Sequence, residues 1–388
     1  MLAKSVIPHE MNRVMRVLML STSYPRDLSD WRGLFMRHLA DALARSPTIR
    51  LSLWAPPGEL ALEATSIALP EEAEWLSRLM AAGGIAHLMR SGGIKAASTP
   101  LKLLKMLSAV YRRHQDVDVY HVNWLQCAVP LPANGRPVLI TVLGNDMKLL
   151  RLPLMKTLLR RVMRNRRVTI CPNADWMCAQ LSSAFGDLAE IQPVAFGIDP
   201  AWYAIERAAH RGQTQRWLAV TRLTRDKLGN LFEWSEALFR DAGRELHLFG
   251  PMQETIDVPD WVHYHGVASP EQLANDWFPI ATGLITLSRH AEGRPQVMLE
   301  AMAAGLPIVA SRMPAHASMV EDGVTGSVCS SREDYSAAVL RLEDASTNRD
   351  YGAAARAWAA REIGTWDDCA NRYARIYRQL LGMSDSNA

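Results

Sequence analysis

The sequence predicts an α/β protein made of two doubly wound parallel sheets, and three observations predict it. Short apolar runs of strand length alternate with helix-period segments in two separate series. The chain has 388 residues, which is too long for one ordinary core and suits two of about 150 to 200 residues each. Between the two series, the stretch PVAFGIDPAWY at 193–203 interrupts both periodicities with Gly197 and Pro200.

The first series opens with MRVLML at 15–20, a buried strand that ends in the turn-prone STSYPRDLSDWRG and leads into a helical pattern over 34–44. Further strands are expected at 50–54, 117–122, 138–142 and 168–171, with a helix over 101–113 between them. Residues 56–100 hold two Gly-Gly pairs and short helical pieces and read as an excursion from the core. The second series follows the polar stretch 207–216. It runs strand 217–221, helix 231–241, strand 245–249, a short strand near 262–265, helix 270–276 and strand 283–287, then a loop, a helix and a strand over 291–311. The expected domains are 12–195 and 213–365, with a helix in 366–388 returning towards the first. Open parallel sheets bind ligands at the carboxyl ends of their strands, so two such edges facing across a hinge at 193–203 would form one cleft.

Composition narrows the function. Hydrophobic residues make up 48% and charged residues 21%, as in ordinary globular proteins. No apolar run approaches the roughly 20 residues of a membrane-spanning helix, and charged residues in the first twenty positions interrupt the apolar region a signal peptide keeps, so a cytoplasmic protein is expected. The cysteines Cys127, Cys171, Cys178, Cys329 and Cys369 show no paired short spacing and suit reduced interior thiols. The net charge of +3 divides into +9 for residues 1–195 and −6 for the remainder. The excess concentrates between Lys148 and Arg167, where KLLRLPLMKTLLRRVMRNRR has no acidic residue. Leu150, Leu154, Leu158, Leu159 and Val162 recur there at helical spacing, which predicts one buried and one cationic face. That face is either plain solvated surface or a patch for anionic lipid headgroups at the inner side of the cell membrane. Nucleic acid is not an expected partner, because aromatic residues are not interleaved with the cations. Asp116 and Asp118 form a D-x-D string that leads into a strand instead of ending one, and His263 and His265 alternate with no third ligand following, so no metal site is assigned.

The segment AEGRPQVMLEAMAAGLPIVAS at 291–311 carries the chemistry. Glu292 and Glu300 bracket a Gly-x-Pro turn in which Gly293 loosens the backbone and Pro295 suits the first helical position. The amides of that helix start would face an anion, with Glu292 beside one end of the ligand and Glu300 reaching another part of it. A diphosphate joined to two polyols, a nucleotide sugar, fits this order of groups. Upstream, TRLTRDKLGN places Arg222 and Lys227 five apart in a loop that opens a helix, as a fork and a point charge suited to a diphosphate.

These motifs resemble those of retaining nucleotide-sugar glycosyltransferases of family 4 (glycosyl transferases group 1), which have the GT-B fold. The 291–311 segment is similar to the family's E-x7-E signature, and TRLTRDKLGN to its G-R-L-x-x-x-K-G loop, with Thr221 and Leu228 in place of the glycines. LHLFGP, VHYHGVASPEQL, GLITLSRHAEG and EDGVTGSV extend the similarity, as do STSYPRDLSDWRG, DVDVYHVN and TVLGND in the first half, over roughly residues 15–330. The resemblance implies catalytic roles for Glu292, Arg222 and Lys227. It implies donor contacts from Gly33, Gly250, Gly293, Arg294, Pro295, Gln296, Val297 and Glu300, and sugar or acceptor contacts from His121, Asn123, Asn145 and Asp146. The chain departs from the pattern at Leu143, Asn123 and Ser318, where the family has two histidines and a glutamate.

The implied reaction transfers a sugar from a nucleotide-diphosphate donor to a hydroxyl acceptor with retained anomeric configuration. No cofactor or metal is expected. By analogy the acceptor is a lipid-linked saccharide of envelope or secreted polysaccharide synthesis. A nucleotide-sugar epimerase of the same architecture and a non-catalytic binding subunit are the rival readings, with a metal-dependent transferase using Asp116 and Asp118 as a third.

Overall fold

The computed structural model describes residues 13–61, 63–83, 94–208, 214–240 and 243–383. Two compact units emerge. One comprises 1–173, 177–194 and 367–388, the other 174–176 and 195–366.

The first unit contains a seven-stranded sheet of β1 (Met15–Leu20), β2 (Ile49–Trp54), β3 (Ala64–Ser66), β4 (Val119–Asn123), β5 (Val138–Val142), β6 (Val168–Pro172) and β7 (Glu190–Ile191), in the order β3-β2-β1-β4-β5-β6-β7. All pairings are parallel, so each connection must cross over a sheet face, and the central strands β4, β5 and β6 are buried along their whole length. The helix Trp366–Leu381 packs on this sheet: Tyr377 and Tyr373 meet His121 of β4 and Thr141 of β5.

The second unit contains a six-stranded parallel sheet of β8 (Gln215–Val220), β9 (Arg244–Phe249), β10 (Val262–Tyr264), β11 (Gly283–Thr286), β12 (Ile308–Ser311) and β13 (Gly326–Cys329), in the order β10-β9-β8-β11-β12-β13. Period-two alternation divides its side chains between two cores. Leu218, Leu284, Ile308 and Ala310 face the helices Gln296–Ala303 and Ala345–Glu362. Trp217, Ala219, Ile285 and Val309 face the helices Leu231–Phe239 and Arg332–Arg341. Strand order reverses between β8 and β11, where the connections leave for opposite faces. A doubly wound sheet opens there at its carboxyl edge and binds ligands.

Several local expectations need correction. Pro295 is the N-cap of its helix, at φ −63° and ψ 118°, and not its first helical residue. The helix expected over 270–276 is present but changes pitch along its length, from an α-turn at Pro270–Gln272 to a wider π-turn at Leu273–Trp277, and it runs on into a 3-10 turn at Phe278–Ile280. The region 148–167 does not form one amphipathic helix. Pro153 separates Asp146–Leu149 from Met155–Met163. Leu150 and Leu159 are buried, whereas Leu152, Leu154 and Leu158 are 44%, 72% and 43% exposed. His263 and His265 both stack on His247, whose Nδ1 lies 2.9 Å from His265 Nε2 and whose Nε2 lies 3.0 Å from Glu245. Asp118 is buried and paired with Arg13 and Arg16, and Asp116 with Arg16, so the D-x-D string serves arginines. The cysteines form no disulfide. Among the described residues no helix is long and apolar enough to cross a membrane.

Candidate active site

At the strand-order reversal of the second sheet, two loops approach each other. The loop after β8 carries Arg222 and then Lys227 within the short helix Arg225–Leu228, which Thr224 caps by accepting from Lys227 N. The loop after β11 carries Ser288, Glu292 and Gly293 and ends at the helix Gln296–Ala303. Gly229, at φ +56°, leaves no room for a Cβ because Leu287 O presses against it, and Arg289 N donates to Asp226 O at 2.7 Å. The two loops are therefore one packed unit.

Lys227 Nζ lies 2.6 Å from Glu292 Oε1, with only 12% and 14% of these side chains exposed. Ser288 Oγ donates to the same carboxylate oxygen at 3.1 Å. Burial pushes Glu292 up, but the charge and hydrogen bond of Lys227 outweigh it and leave the carboxyl below its ordinary value. Burial lowers Lys227, Glu292 opposes that, and the nearby charge of Arg222 adds to the lowering. A buried pair of this kind is held by mutual neutralisation, since either charge alone would be costly in the interior. Arg222 also approaches Gln253 through Nη1 at 3.5 Å.

The helix start beyond this pair is open. Pro295 offers no capping side chain, and among the described residues nothing accepts from the N–H groups of Gln296 and Val297. Open amides at a helix start attract anions. Glu300, more than a turn into the helix, makes no hydrogen bond or ion pair with Arg222, Lys227 or Glu292 among the described residues. Burial, with Asp199 adding to it, pushes its carboxyl up to about 8. Gly250 ends β9 at φ +135°, and a Cβ there would collide with Thr221 O, so this glycine lets the strand end abut the Arg222 loop.

Other expected donor contacts are already engaged. Arg294, its side chain 9% exposed, pairs with Asp175 at 3.2 Å, Gly293 O accepts from Trp176 Nε1 at 3.2 Å, and Gln296 Nε2 donates to Gly197 O at 2.8 Å. These contacts brace the loop, while among the described residues the N–H groups of Gln296 and Val297 have no acceptor.

In the first unit, three of the four expected acceptor-side residues are buried and hydrogen-bonded within the protein. His121 is fully buried, with Nδ1 2.6 Å from Tyr377 Oη and Nε2 2.8 Å from Thr141 Oγ1, and burial lowers it to about 3. Asn123 is buried and donates to Leu20 O at 2.9 Å. Asp146 accepts from Leu125 N at 2.9 Å and Leu143 N at 2.8 Å, while burial pushes its carboxyl up to about 7. All three tie strand ends together. Asn145 is exposed beyond the carboxyl end of β5, and Gly33, at φ +75°, starts the helix Leu34–Ala44 where a Cβ would strike Ser23 Oγ.

Two residues of the site have no signal in the sequence reading. Ser288 orients Glu292 as described. His316, in the short helix Pro314–Ala317 after β12, is fully buried and lies close enough to Glu292 and Lys227 for their charges to act on it. Its Nδ1 is 3.0 Å from Ser311 O. A carbonyl oxygen only accepts, so the proton sits on Nδ1 and leaves Nε2 an acceptor, and that buried atom has no partner among the described residues.

Residues 216–344 match the family described as glycosyl transferases group 1. The D-inositol 3-phosphate glycosyltransferase of Streptomyces griseus is 34% identical over 128 residues, 32% of this chain and 26% of that protein. Its counterpart from Thermomonospora curvata is 31% identical over 110 residues, 28% and 25% of the two chains. The chain thus spans about a quarter of the length of these curated relatives. Among solved structures, sucrose-phosphate synthase from Thermosynechococcus elongatus superposes with a TM-score of 0.69 at 16% identity, covering 95% of this chain and 100% of that one. Anabaena HepE in complex with UDP-glucose gives 0.63 at 15%, covering 94% and 100%. A glycosyltransferase from Rickettsia africae gives 0.62 at 12%, covering 96% and 100%. The two parallel α/β units have the GT-B fold of these neighbours.

Proposed function

We propose that the chain is a retaining, metal-independent glycosyltransferase of family 4 that moves a sugar from a nucleotide-diphosphate donor to a hydroxyl of a lipid-linked saccharide. The observation that carries this reading is the buried Lys227–Glu292 pair at the strand-order reversal, next to the open helix start at Gln296. The diphosphate takes Lys227, Arg222 and the amides of Gln296 and Val297 as partners. Its negative charge grows as the glycosidic bond breaks, and charges fixed in advance favour that state over the bound donor. Glu292, released from Lys227 by the incoming phosphate, accepts from the sugar hydroxyls and faces the positive anomeric carbon. His316 Nε2 accepts from another sugar hydroxyl. The bond to the diphosphate oxygen breaks, the bond to the acceptor oxygen forms on the same face, and the acceptor's proton passes to the departing phosphate. Glu300 accepts from the ribose hydroxyls.

The test is product analysis on the full chain with a panel of nucleotide sugars and saccharide acceptors, with and without EDTA. UDP-sugars lead the panel because HepE was solved with UDP-glucose, and inositol phosphates join the acceptors because of the name of the curated relatives. Transfer with retained configuration, insensitive to chelator, is the expected result. An isomerised sugar released without acceptor would make the chain an epimerase, and binding without turnover would make it a non-catalytic subunit.

The acceptor reading comes with a membrane-facing surface. Leu152, Leu154 and Leu158 project among the exposed Lys148, Arg151, Lys156, Arg161 and Arg164. Leu154 holds its side chain out from a left-handed backbone at φ +65°, a conformation that costs a branched residue about 1 kcal/mol or more. Insertion of a leucine into lipid returns about 1.5–3 kcal/mol, and each cation about 1 kcal/mol near an anionic surface. The chain is expected to co-sediment with phosphatidylglycerol vesicles at low salt and not with phosphatidylcholine vesicles, and a Leu154→Asn/Leu158→Asn variant to lose most of that binding. Equal binding to both vesicle types would overturn the assignment.

A further inference from the structure

A cavity of about 250 Å3 opens at the carboxyl edge of the second sheet, between the start of the helix Leu231–Phe239 and the loops that follow β11, β12 and β13. It lies on the sheet face that carries Leu231–Phe239 and Arg332–Arg341, whereas the helix Gln296–Ala303 with Glu300 lies on the opposite face. Ser288, Arg289, Ser311, Arg312, Ser330 and Trp234 contribute to its lining.

Its two guanidinium groups lack carboxylate partners among the described residues. Arg312 donates from Nε to Ser330 Oγ at 2.6 Å and from Nη2 to Val328 O at 3.1 Å, which fixes the fork and leaves Nη1 unused. Arg289 donates from Nη2 to Asn230 Oδ1, leaving Nε and Nη1 unused. Two cations held by neutral groups at one concavity, with the Ser330 hydroxyl beside Arg312, have the donors a phosphate needs. Trp234 offers an apolar wall for a short carbon skeleton. The volume is below the roughly 300 Å3 at which pockets for larger ligands begin, which limits the occupant to a small molecule.

The cavity shares its wall with the candidate active site. Ser288 lines it and also donates to Glu292, Ser311 Oγ donates to Ser288 O at 2.7 Å, and Arg289 N holds the loop of Lys227 through Asp226 O. A ligand drawing Arg289 and Arg312 together would therefore act on both loops at once.

We propose that this cavity is a second anion site, for a small phosphate-bearing molecule, whose occupancy is transmitted through Ser288 to Glu292. The transmission rests on the glycosyltransferase reading; the binding does not. The test is calorimetry on the full chain with inorganic phosphate and with glycerol 3-phosphate, each with and without saturating UDP. Binding is expected to persist under UDP, to weaken about tenfold in Arg312→Gln, and to survive in Lys227→Ala, while UDP affinity in Arg312→Gln stays within twofold. Tighter binding of glycerol 3-phosphate identifies a phosphomonoester as the ligand, and equal binding identifies free phosphate. Loss of phosphate binding under UDP or in Lys227→Ala, or no change in Arg312→Gln, would overturn the proposal. Ser330→Ala removes only the hydroxyl that orients Arg312 and is expected to weaken binding severalfold, so the proposal stays testable if Arg312→Gln does not fold. Failure of UDP to bind at all would count against the donor reading alone, because the comparison of Arg312→Gln with Lys227→Ala needs no UDP.

Discussion

Lys227→Ala is expected to lower kcat/KM for sugar transfer about 1000-fold and to destabilise the chain by about 3–5 kcal/mol. The first effect follows from removing a fixed positive group aimed at the charge that develops on the diphosphate, worth about 2.7–4 kcal/mol in comparable sites. The second follows from leaving Glu292 buried with Ser288 Oγ as its remaining hydrogen-bond partner. Lys227→Met with Glu292→Gln should restore much of the stability, since no charge is then left unpaired, but none of the activity. Urea unfolding and steady-state kinetics on the three variants separate the two effects. Acid should expose the same pair: the folded-state value of Glu292 is depressed, so its contribution to stability is present above the unfolded value and disappears as pH falls through the folded one. Full activity in Lys227→Ala would remove the diphosphate assignment.

Glu300→Gln is expected to weaken nucleoside-diphosphate binding roughly 10- to 100-fold at pH 8.5, through lost charge-assisted hydrogen bonds to the ribose. The difference should shrink as pH falls. Burial first, and Asp199 second, push the Glu300 carboxyl up to about 8, so near pH 7 it is mostly protonated before ligand binds. Each pH unit below that value costs about 1.4 kcal/mol for the anion, and wild-type affinity should rise from pH 6.5 to 8.5 relative to the variant. Folding carries the opposite sign. The folded state holds this proton over a window, from the ordinary carboxyl range up to about 8, in which the unfolded state has released it, so stability contributed by this group declines as pH rises through that window. Calorimetry across pH on both proteins decides it. Parallel profiles, or unchanged affinity in Glu300→Gln, would detach Glu300 from the nucleotide.

The alternation of apolar runs with helix-period segments was enough to specify both parallel sheets, because strands buried on two faces must be apolar throughout, as in β5 and β6. The order Glu292, Gly293, Pro295, Glu300 likewise located a loop opening a helix, since these signals act within a few residues of one another. Pro153 was equally local, yet the leucine periodicity around it obscured the break it imposes.

The sequence by itself thus determined the two-sheet architecture and the position of the loop that opens the helix Gln296–Ala303. Tertiary structure alone decided which polar groups remain available there. His121 meets Tyr377 across 256 residues, Asp146 takes amides from Leu125 and Leu143, and Arg294 finds Asp175 across 119 residues, so groups that read as ligand contacts serve as braces. Lys227 pairs with Glu292, and His316 keeps an acceptor unsatisfied beside them. The physical reason is that periodicity records the burial demanded by a residue's own strand or helix, whereas the partner of a buried polar atom is set by whichever distant segment packs against it, and a buried donor or acceptor must find one.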